Sequence, residues 1–382
     1  MTVVELEEEL KLLRESVRAF VARELQPIEQ MVDERDEISP ETYERLRAKA
    51  AAMGLLGLAY PSEYGGSALG VLAQCVVREE FGKTSDALRI VCTQGPNKMI
   101  LAGTEEQKER YLAPAIRGER LMAFAVTEPD AGSDVASIRT RAQPKGDGFV
   151  LNGRKHFVTN GPIADVVVVF AVTDPERRAR GGITAFLVDR GTPGFSVGRI
   201  HKKMGWRGSP TSELIFENCR VPRPQVLGEL GGGFSLLMKF LDEQRLAVGA
   251  GCVGTAERLL RMAREYARER VTFGRPLADR QAIQFMLADS AVEIHAGRLM
   301  VYEGARRADE GERVTREAAM AKVFCSEMAG RVADRTLQIF GGMGYMKELP
   351  IERMNRDLRN HRIAEGTSEI LRIVIARDLL GP

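Results

Sequence analysis

The chain has 382 residues, 44% of them hydrophobic and 28% charged, with a formal net charge of +2. That length exceeds one small core and calls for two or three domains. The composition is that of an ordinary globular protein, and the balanced charge gives no general drive toward nucleic acid or a membrane surface.

Residues 1 to about 120 read as helices. Leu6, Leu10, Leu13, Val17 and Phe20 recur at three- and four-residue spacing and form one apolar stripe. Pro27 should end that pattern nearby. Thr42 to Leu56 repeats the helical period, and Thr104-Glu105-Glu106-Gln107 makes a capping box ahead of Tyr111-Leu112. Between about 121 and 230 the texture changes to Gly, Thr and Val with short apolar runs. Phe149 to Leu151, Val166 to Val172, Thr184 to Val188 and Glu213 to Phe216 read as strands. Lys145-Gly146-Asp147-Gly148 and Asn152-Gly153 read as turns between them. From Gly231 on, long helices return: Phe234 to Arg268 with small breaks at Gly249 to Gly251 and Gly254, then Gln281 to Asp309, Thr315 to Phe340, and a last helix from Ser368. Helical, β and helical-bundle segments in that order predict an α+β architecture of domains 1–120, 121–230 and 231–382.

The start, MTVVELEEELKLLRESVRAF, lacks the basic and apolar regions of a secretory leader. No apolar run reaches the length of a membrane-spanning helix. Cys75, Cys92, Cys219, Cys252 and Cys325 are scattered and odd in number, which predicts reduced, mostly buried thiols and a cytoplasmic location. His156, His201, His295 and His361 form no HExxH pattern, so no metal site is expected. No GxGxxG follows a strand, and no GxSxG is present.

The segment RDLRNHRIAEGTSEILR (Arg356 to Arg372) places Glu365 after the aliphatic Ile363-Ala364 and before Gly366-Thr367. A carboxylate among apolar groups is poorly solvated, a setting that suits a general base. The plainer reading is a helix start capped by Thr367 or Ser368.

Four other segments occur in fixed order: AVTEPDAGSD (Ala125 to Asp134), NGRKHFVTNG (Asn152 to Gly161), RVTFGRPLADRQAIQ (Arg270 to Gln284) and QIFGGMGY (Gln338 to Tyr345). Together with EGTSEI, PSEYGG and GITAFLVD, they resemble the flavin-dependent acyl-CoA dehydrogenase family over nearly the whole chain. The resemblance implies a helical N-terminal domain, a middle β-sandwich or barrel, a C-terminal helical bundle, and FAD as cofactor. It also implies loss of a proton from Cα and a hydride from Cβ of an acyl-CoA, giving a trans-2-enoyl-CoA, with Glu365 as the base.

By the same resemblance, Phe124, Val126, Thr127 and Ser133, with Phe157, Val158 and Thr159, hold the flavin ring. Hydroxyls and N–H groups aimed at a reduced flavin stabilise its negative charge. Without the resemblance, Thr127 and Thr159 read as ordinary strand residues, and Ser133 could merely brace its turn. Gln338, Gly341 and Gly342 would contact a neighbouring subunit's FAD; alone, the glycines read as a helix C-cap. Arg270 would bridge the FAD pyrophosphate across a subunit interface, joined by Thr272 and Gln281. Thr367 and Glu369 flank the cofactor. Asp242, Arg245, Gly366 and Ser133 border the substrate, with structural ion pairing the alternative for Asp242 and Arg245. Where some relatives carry their base, this chain has Gln244, and the adjacent Glu243 should face solvent or the coenzyme A entrance.

Relatives commonly carry an aromatic residue where this chain has Ala364, which leaves room for branched or cyclic acyl groups. The resemblance further implies a homotetramer built as a dimer of dimers, with electron-transferring flavoprotein as electron acceptor. The alternatives are an oxidase-like enzyme using oxygen, although such relatives are generally longer, and a catalytically silent FAD or acyl-CoA binding scaffold.

Overall fold

The computed structural model describes residues 6–381. The part of the N-terminal segment read above that falls on Met1 to Glu5 lies outside them. The apolar stripe becomes α1 (Glu8–Phe20), with Val17 and Phe20 buried. Pro27 does not break the path. The chain runs on through a π turn at Val21–Leu25 into a 3-10 turn at Gln26–Ile28, whose first positions need no proline N–H. Helix α2 (Pro40–Ala52) starts two residues before the hydrophobic period does. Ser39 accepts a hydrogen bond from the Thr42 N–H at 3.3 Å, and Pro40 occupies the first turn. The Thr104 capping box forms with both of its hydrogen bonds. Helix α3 (Gly70–Phe81) completes the elements of this part that matter below.

The middle part carries eight strands: β1 (Met122–Ala125), β2 (Arg141–Lys145), β3 (Gly148–Thr159), β4 (Val166–Val172), β5 (Ile183–Asp189), β6 (Phe195–Ile200), β7 (Thr211–Pro222) and β8 (Val226–Leu227). They form one open, mixed sheet in the order β6-β7-β3-β2-β4-β5-β8, with β1 parallel to β4. Lys145 pairs with Gly148 across the expected hairpin. Asn152-Gly153 is not a turn: it lies inside β3, where the register shifts between Leu151 and Gly153. A Cβ at Gly153 would stand 2.5 Å from the Thr140 hydroxyl, so only glycine lets the strands meet there.

Strand β4 is apolar throughout because both of its faces are covered. Val166, Val168 and Phe170 pack with Tyr111, Leu112 and Leu237 from helical segments. Val167 and Val169 pack with Leu151, Leu214 and Phe216 of β3 and β7, the sandwich-like interior of the middle part.

The C-terminal part is a helical bundle: α4 (Gly233–Glu269), α5 (Gln281–Asp309), α6 (Thr315–Phe340), α7 (Ile351–Asn360) and α8 (Ser368–Leu380). Helix α4 runs unbroken for 37 residues, so its glycines are not breaks. A Cβ at Gly254 would stand 1.8 Å from the Glu79 carbonyl oxygen, and the glycine lets α3 cross α4 at backbone contact. Buried Glu29 accepts from Arg258 at 2.6 Å and pairs with Arg353 at 2.9 Å, tying the N-terminal part to this bundle. All five cysteines are buried and free. No helix among the described residues is long and apolar enough to cross a membrane.

Candidate active site

After α7 the chain folds back on itself, with the Ile363 and Ala364 N–H groups bonded to the Asn360 carbonyl at 2.8 and 3.0 Å. Two consecutive residues then take positive φ, Glu365 at 58° and Gly366 at 101°. Glycine takes this conformation freely; for glutamate it is uncommon, and such backbone strain concentrates at functional sites. Thr367 follows in extended conformation and caps α8, its hydroxyl accepting from the Ile370 N–H at 3.3 Å. The capping role read from the sequence is therefore correct for Thr367 and leaves Glu365 free for another task.

Helices α4 and α6 fix this turn. Arg245 donates to the Glu365 carbonyl at 3.3 Å and to Asp242 Oδ1 at 2.9 Å. The other Asp242 oxygen accepts from the Thr315 hydroxyl at 2.6 Å. Lys322, fully buried, donates to the Gly366 carbonyl at 2.6 Å. Burial pulls its ammonium down to about 8, with Glu365 opposing that shift. Glu365 Oε2 is buried and accepts no hydrogen bond. A carboxylate oxygen held on a rigid turn without a partner is available to take a proton from a bound molecule. Ile363 does not supply the shielding expected of it, since it is 54% exposed. Glu243 is partly exposed and ion-paired with Lys98.

A second group of residues meets where β1 ends and β3 becomes irregular. Phe124, Val126, Thr127, Phe157, Val158 and Thr159 line one cleft, together with Gln94 and His156. The His156 N–H bonds the Thr127 carbonyl at 2.7 Å and joins the two segments. Between Lys155 and Val158 the β3–β7 register shifts, and Phe157 takes φ 56° with 63% of its surface exposed. A large ring held out over a cleft by a strained strand presents a flat face for stacking. Behind it, fully buried Lys155 donates to the Val126 carbonyl at 2.9 Å and to Glu128 at 2.7 Å. Gln94 donates to the Met122 carbonyl at 3.1 Å and accepts from Asn160 at 2.7 Å. The sequence reading passed over Gln94, Lys155 and Lys322. The pairing of Lys155 with Glu128 left no signal, since Glu128 follows β1 and Lys155 stands between Arg154 and His156 in β3.

The remaining expected residues lie elsewhere. Arg270, Gln281, Gln338, Gly341 and Gly342 are exposed and outside the cleft. Thr272 lies in a short hairpin, where its carbonyl accepts from Arg280 at 2.6 Å. Ser133 and Glu369 are exposed. A larger cavity, about 730 Å³, lies between α2 and the sheet, lined by Tyr43, Arg47 and Ser209 among others, and none of the expected site residues borders it. The cleft is smaller, about 100 Å³, but it carries the stacking ring and the hydroxyls.

The exposed Phe157 ring over a cleft bordered by Thr127 and Thr159, and the unpartnered Glu365 Oε2 on a separate turn, are the two candidate functional features. Models of the acyl-CoA dehydrogenase N-terminal, middle and C-terminal domains match residues 7–119, 123–219 and 231–380. Cyclohex-1-ene-1-carbonyl-CoA dehydrogenase of Geobacter metallireducens is 43% identical over 383 residues, covering 99% of this chain and 99% of that protein. The caffeyl-CoA reductase-Etf complex subunit CarC of Acetobacterium woodii is 41% identical, covering 98% of each chain. The solved butyryl-CoA dehydrogenase of Megasphaera elsdenii superposes with a TM-score of 0.94 at 37% identity, covering 99% of each chain. The chain belongs to the acyl-CoA dehydrogenase family, whose members are FAD-dependent oxidoreductases acting on CH–CH bonds.

Proposed function

We propose that this chain oxidises an acyl-CoA thioester at its Cα–Cβ bond to the trans-2-enoyl-CoA, with Glu365 removing the α-proton. The observation that carries the assignment is the buried, unpartnered Oε2 of Glu365 on a turn held by Arg245 and Lys322. Bound FAD supplies the hydride acceptor. Phe157, Phe124, Val126 and Val158, which line the cleft, would hold its ring, and the hydroxyls of Thr127 and Thr159 would be the donors available to it. Arg245, itself held by Asp242, donates to the Glu365 carbonyl and so fixes the backbone that carries the carboxylate. Asp242, paired with Arg245 and Thr315, positions rather than reacts. Anaerobic addition of a panel of acyl-CoAs to the FAD-loaded protein tests the assignment. Loss of the oxidised-flavin absorbance with at least one thioester is expected, and a flavin untouched by the whole panel would leave only a silent binding scaffold.

Ala364 lies one residue from the base and is half-buried. Its small side chain leaves space near the reacting carbons, and we assign the enzyme a branched or cyclic acyl group. The relative that acts on a cyclohexenecarbonyl thioester supports this choice. Ala364→Tyr should fill that space, and overpacking costs about 1–3 kcal/mol. Its kcat/KM should therefore fall about tenfold more for cyclic or α-branched acyl-CoAs than for butyryl-CoA. Equal losses across the series would remove Ala364 as the specificity determinant.

The FAD is shared between subunits of a homotetramer in this reading, through Arg270, Thr272, Gln281, Gln338, Gly341 and Gly342. Support comes from Phe273, 97% exposed at the tip of the Arg270–Pro276 hairpin, and from Phe285 and Tyr345, 59% and 79% exposed. Phe273→Asp should lower both the sedimentation coefficient and the FAD content. A monomer that keeps full flavin would refute the shared site. Electron-transferring flavoprotein is the proposed acceptor, in line with the relative named as part of an Etf complex. The proposed location is the cytoplasm.

A further inference from the structure

The four histidines are far apart in the sequence, yet the fold brings two of them together. The donor atoms of His156, His201 and Glu213 all lie within 4.8 Å of one another. His156 Nδ1 stands 3.7 Å from Glu213 Oε1. The two imidazoles stack at 4.6 Å with 16° between their planes, and Phe157 packs against both. His156 Nδ1 and His201 Nε2 are each buried without a hydrogen-bond partner. Two orphaned imidazole nitrogens thus stand beside a carboxylate, desolvated and without a partner.

The three residues also come from a preformed frame. His156 lies in the irregular stretch of β3, held by its N–H bond to the Thr127 carbonyl at 2.7 Å. His201 follows β6 and is held by its N–H bond to the Thr211 carbonyl at 2.8 Å. Glu213 lies on β7, which pairs with both β3 and β6. Backbone hydrogen bonds therefore fix all three Cα positions, and only side-chain torsions need adjust.

We propose that His156, His201 and Glu213 bind one divalent transition-metal ion of the zinc class, beside the cleft that holds the flavin. Imidazole and carboxylate donors suit zinc, at about 2.0–2.2 Å from each donor, which sets tetrahedral ligands roughly 3.3 Å apart. Binding requires the donors to close from within 4.8 Å and the stacked rings to turn about their side-chain torsions so that both nitrogens face the ion. Three protein ligands leave a fourth position for water or a small anion. Because His156 lines the cleft and Phe157 packs on both rings, an ion here clamps the segment of β3 that carries the stacking ring. Nothing in this site requires Glu365, so the inference stands apart from the assignment of the base.

Zinc chloride alone is the probe, titrated calorimetrically into FAD-loaded protein freed of metal and of any affinity tag. One ion per chain is expected, with a raised melting temperature. His201→Gln and Glu213→Gln should each weaken binding at least tenfold and abolish the melting shift, while the exposed His295→Gln control keeps both. Flavin content and melting of the metal-free variants report whether they fold. No binding by the native protein would overturn the site. Undiminished binding in folded His201→Gln, or in folded Glu213→Gln, would do the same. Should one of these two fail to fold, the other decides.

Discussion

Glu365→Gln should slow flavin reduction by an acyl-CoA by about a thousandfold or more, while FAD content and melting temperature stay near those of the native protein. General-base catalysis contributes typically about 10²–10⁴-fold, and here the amide removes the proton acceptor without changing shape. The turn itself does not depend on the carboxylate. Arg245 and Lys322 bond the carbonyls of Glu365 and Gly366, so the variant keeps the same backbone. Glu243 offers no substitute, because Lys98 already engages it. Rapid mixing under anaerobic conditions, with absorbance recorded at the flavin band, measures the rate. Near-native reduction would move the base elsewhere, and Glu243→Gln would then be the variant to examine.

Lys155→Met should cost about 3–5 kcal/mol of stability, the usual penalty for leaving one member of a buried ion pair alone. Glu128 is buried and would keep only the N–H groups of Arg139 and Thr140, at 2.6 and 2.9 Å. Burial pushes the Glu128 carboxyl up, but Lys155 and those N–H groups more than offset it and hold it below the usual carboxylate range. A depressed carboxyl contributes stability above its unfolded pKa and loses it as pH falls through the folded value. The native protein should therefore lose this contribution in acid, and Lys155→Met should show a weaker acid dependence. The double variant Glu128→Gln, Lys155→Met should be less destabilised than Lys155→Met alone, since neither neutral side chain leaves a charge unpaired. Thermal melts of the three proteins across pH check this. Because Lys155 also holds the Val126 carbonyl at 2.9 Å, FAD should dissociate faster from the single variant.

Much of the architecture was legible because long periodic helices and continuous apolar strands carry strong signals. Helices α5 and α6 and strand β4 have the limits read from the sequence, and α8 begins at Ser368 as expected. Strands β1, β2 and β6 escaped because their patterns are weak. β1 has four residues, β2 contains Pro144 and buries little beyond Ala142, and β6 is half exposed at the sheet edge. Gly254 of α4 and Gly153 misled for one shared reason. A glycine that admits a neighbouring backbone looks, in sequence, like a glycine that ends an element.

The candidate site divides in the same way. Local motifs pointed to Glu365 and to both walls of the cleft. What holds them showed only in part. The Asp242–Arg245 pair, three residues apart on one helix, was open to the sequence, whereas Thr315 on Asp242, Lys322 on Gly366, and the meeting of His156 with His201 join residues distant in sequence. No spacing rule encodes such contacts, which exist only once the bundle and the sheet have packed.

The central claim, α,β-dehydrogenation of an acyl-CoA, is tested most directly by identifying the product of a single anaerobic turnover. The FAD-loaded protein, mixed with the thioester that bleaches its flavin best, should yield one trans-2-enoyl-CoA for each flavin reduced, lighter than the substrate by two hydrogens. Flavin reduction without a double bond between Cα and Cβ in the recovered thioester would contradict the account.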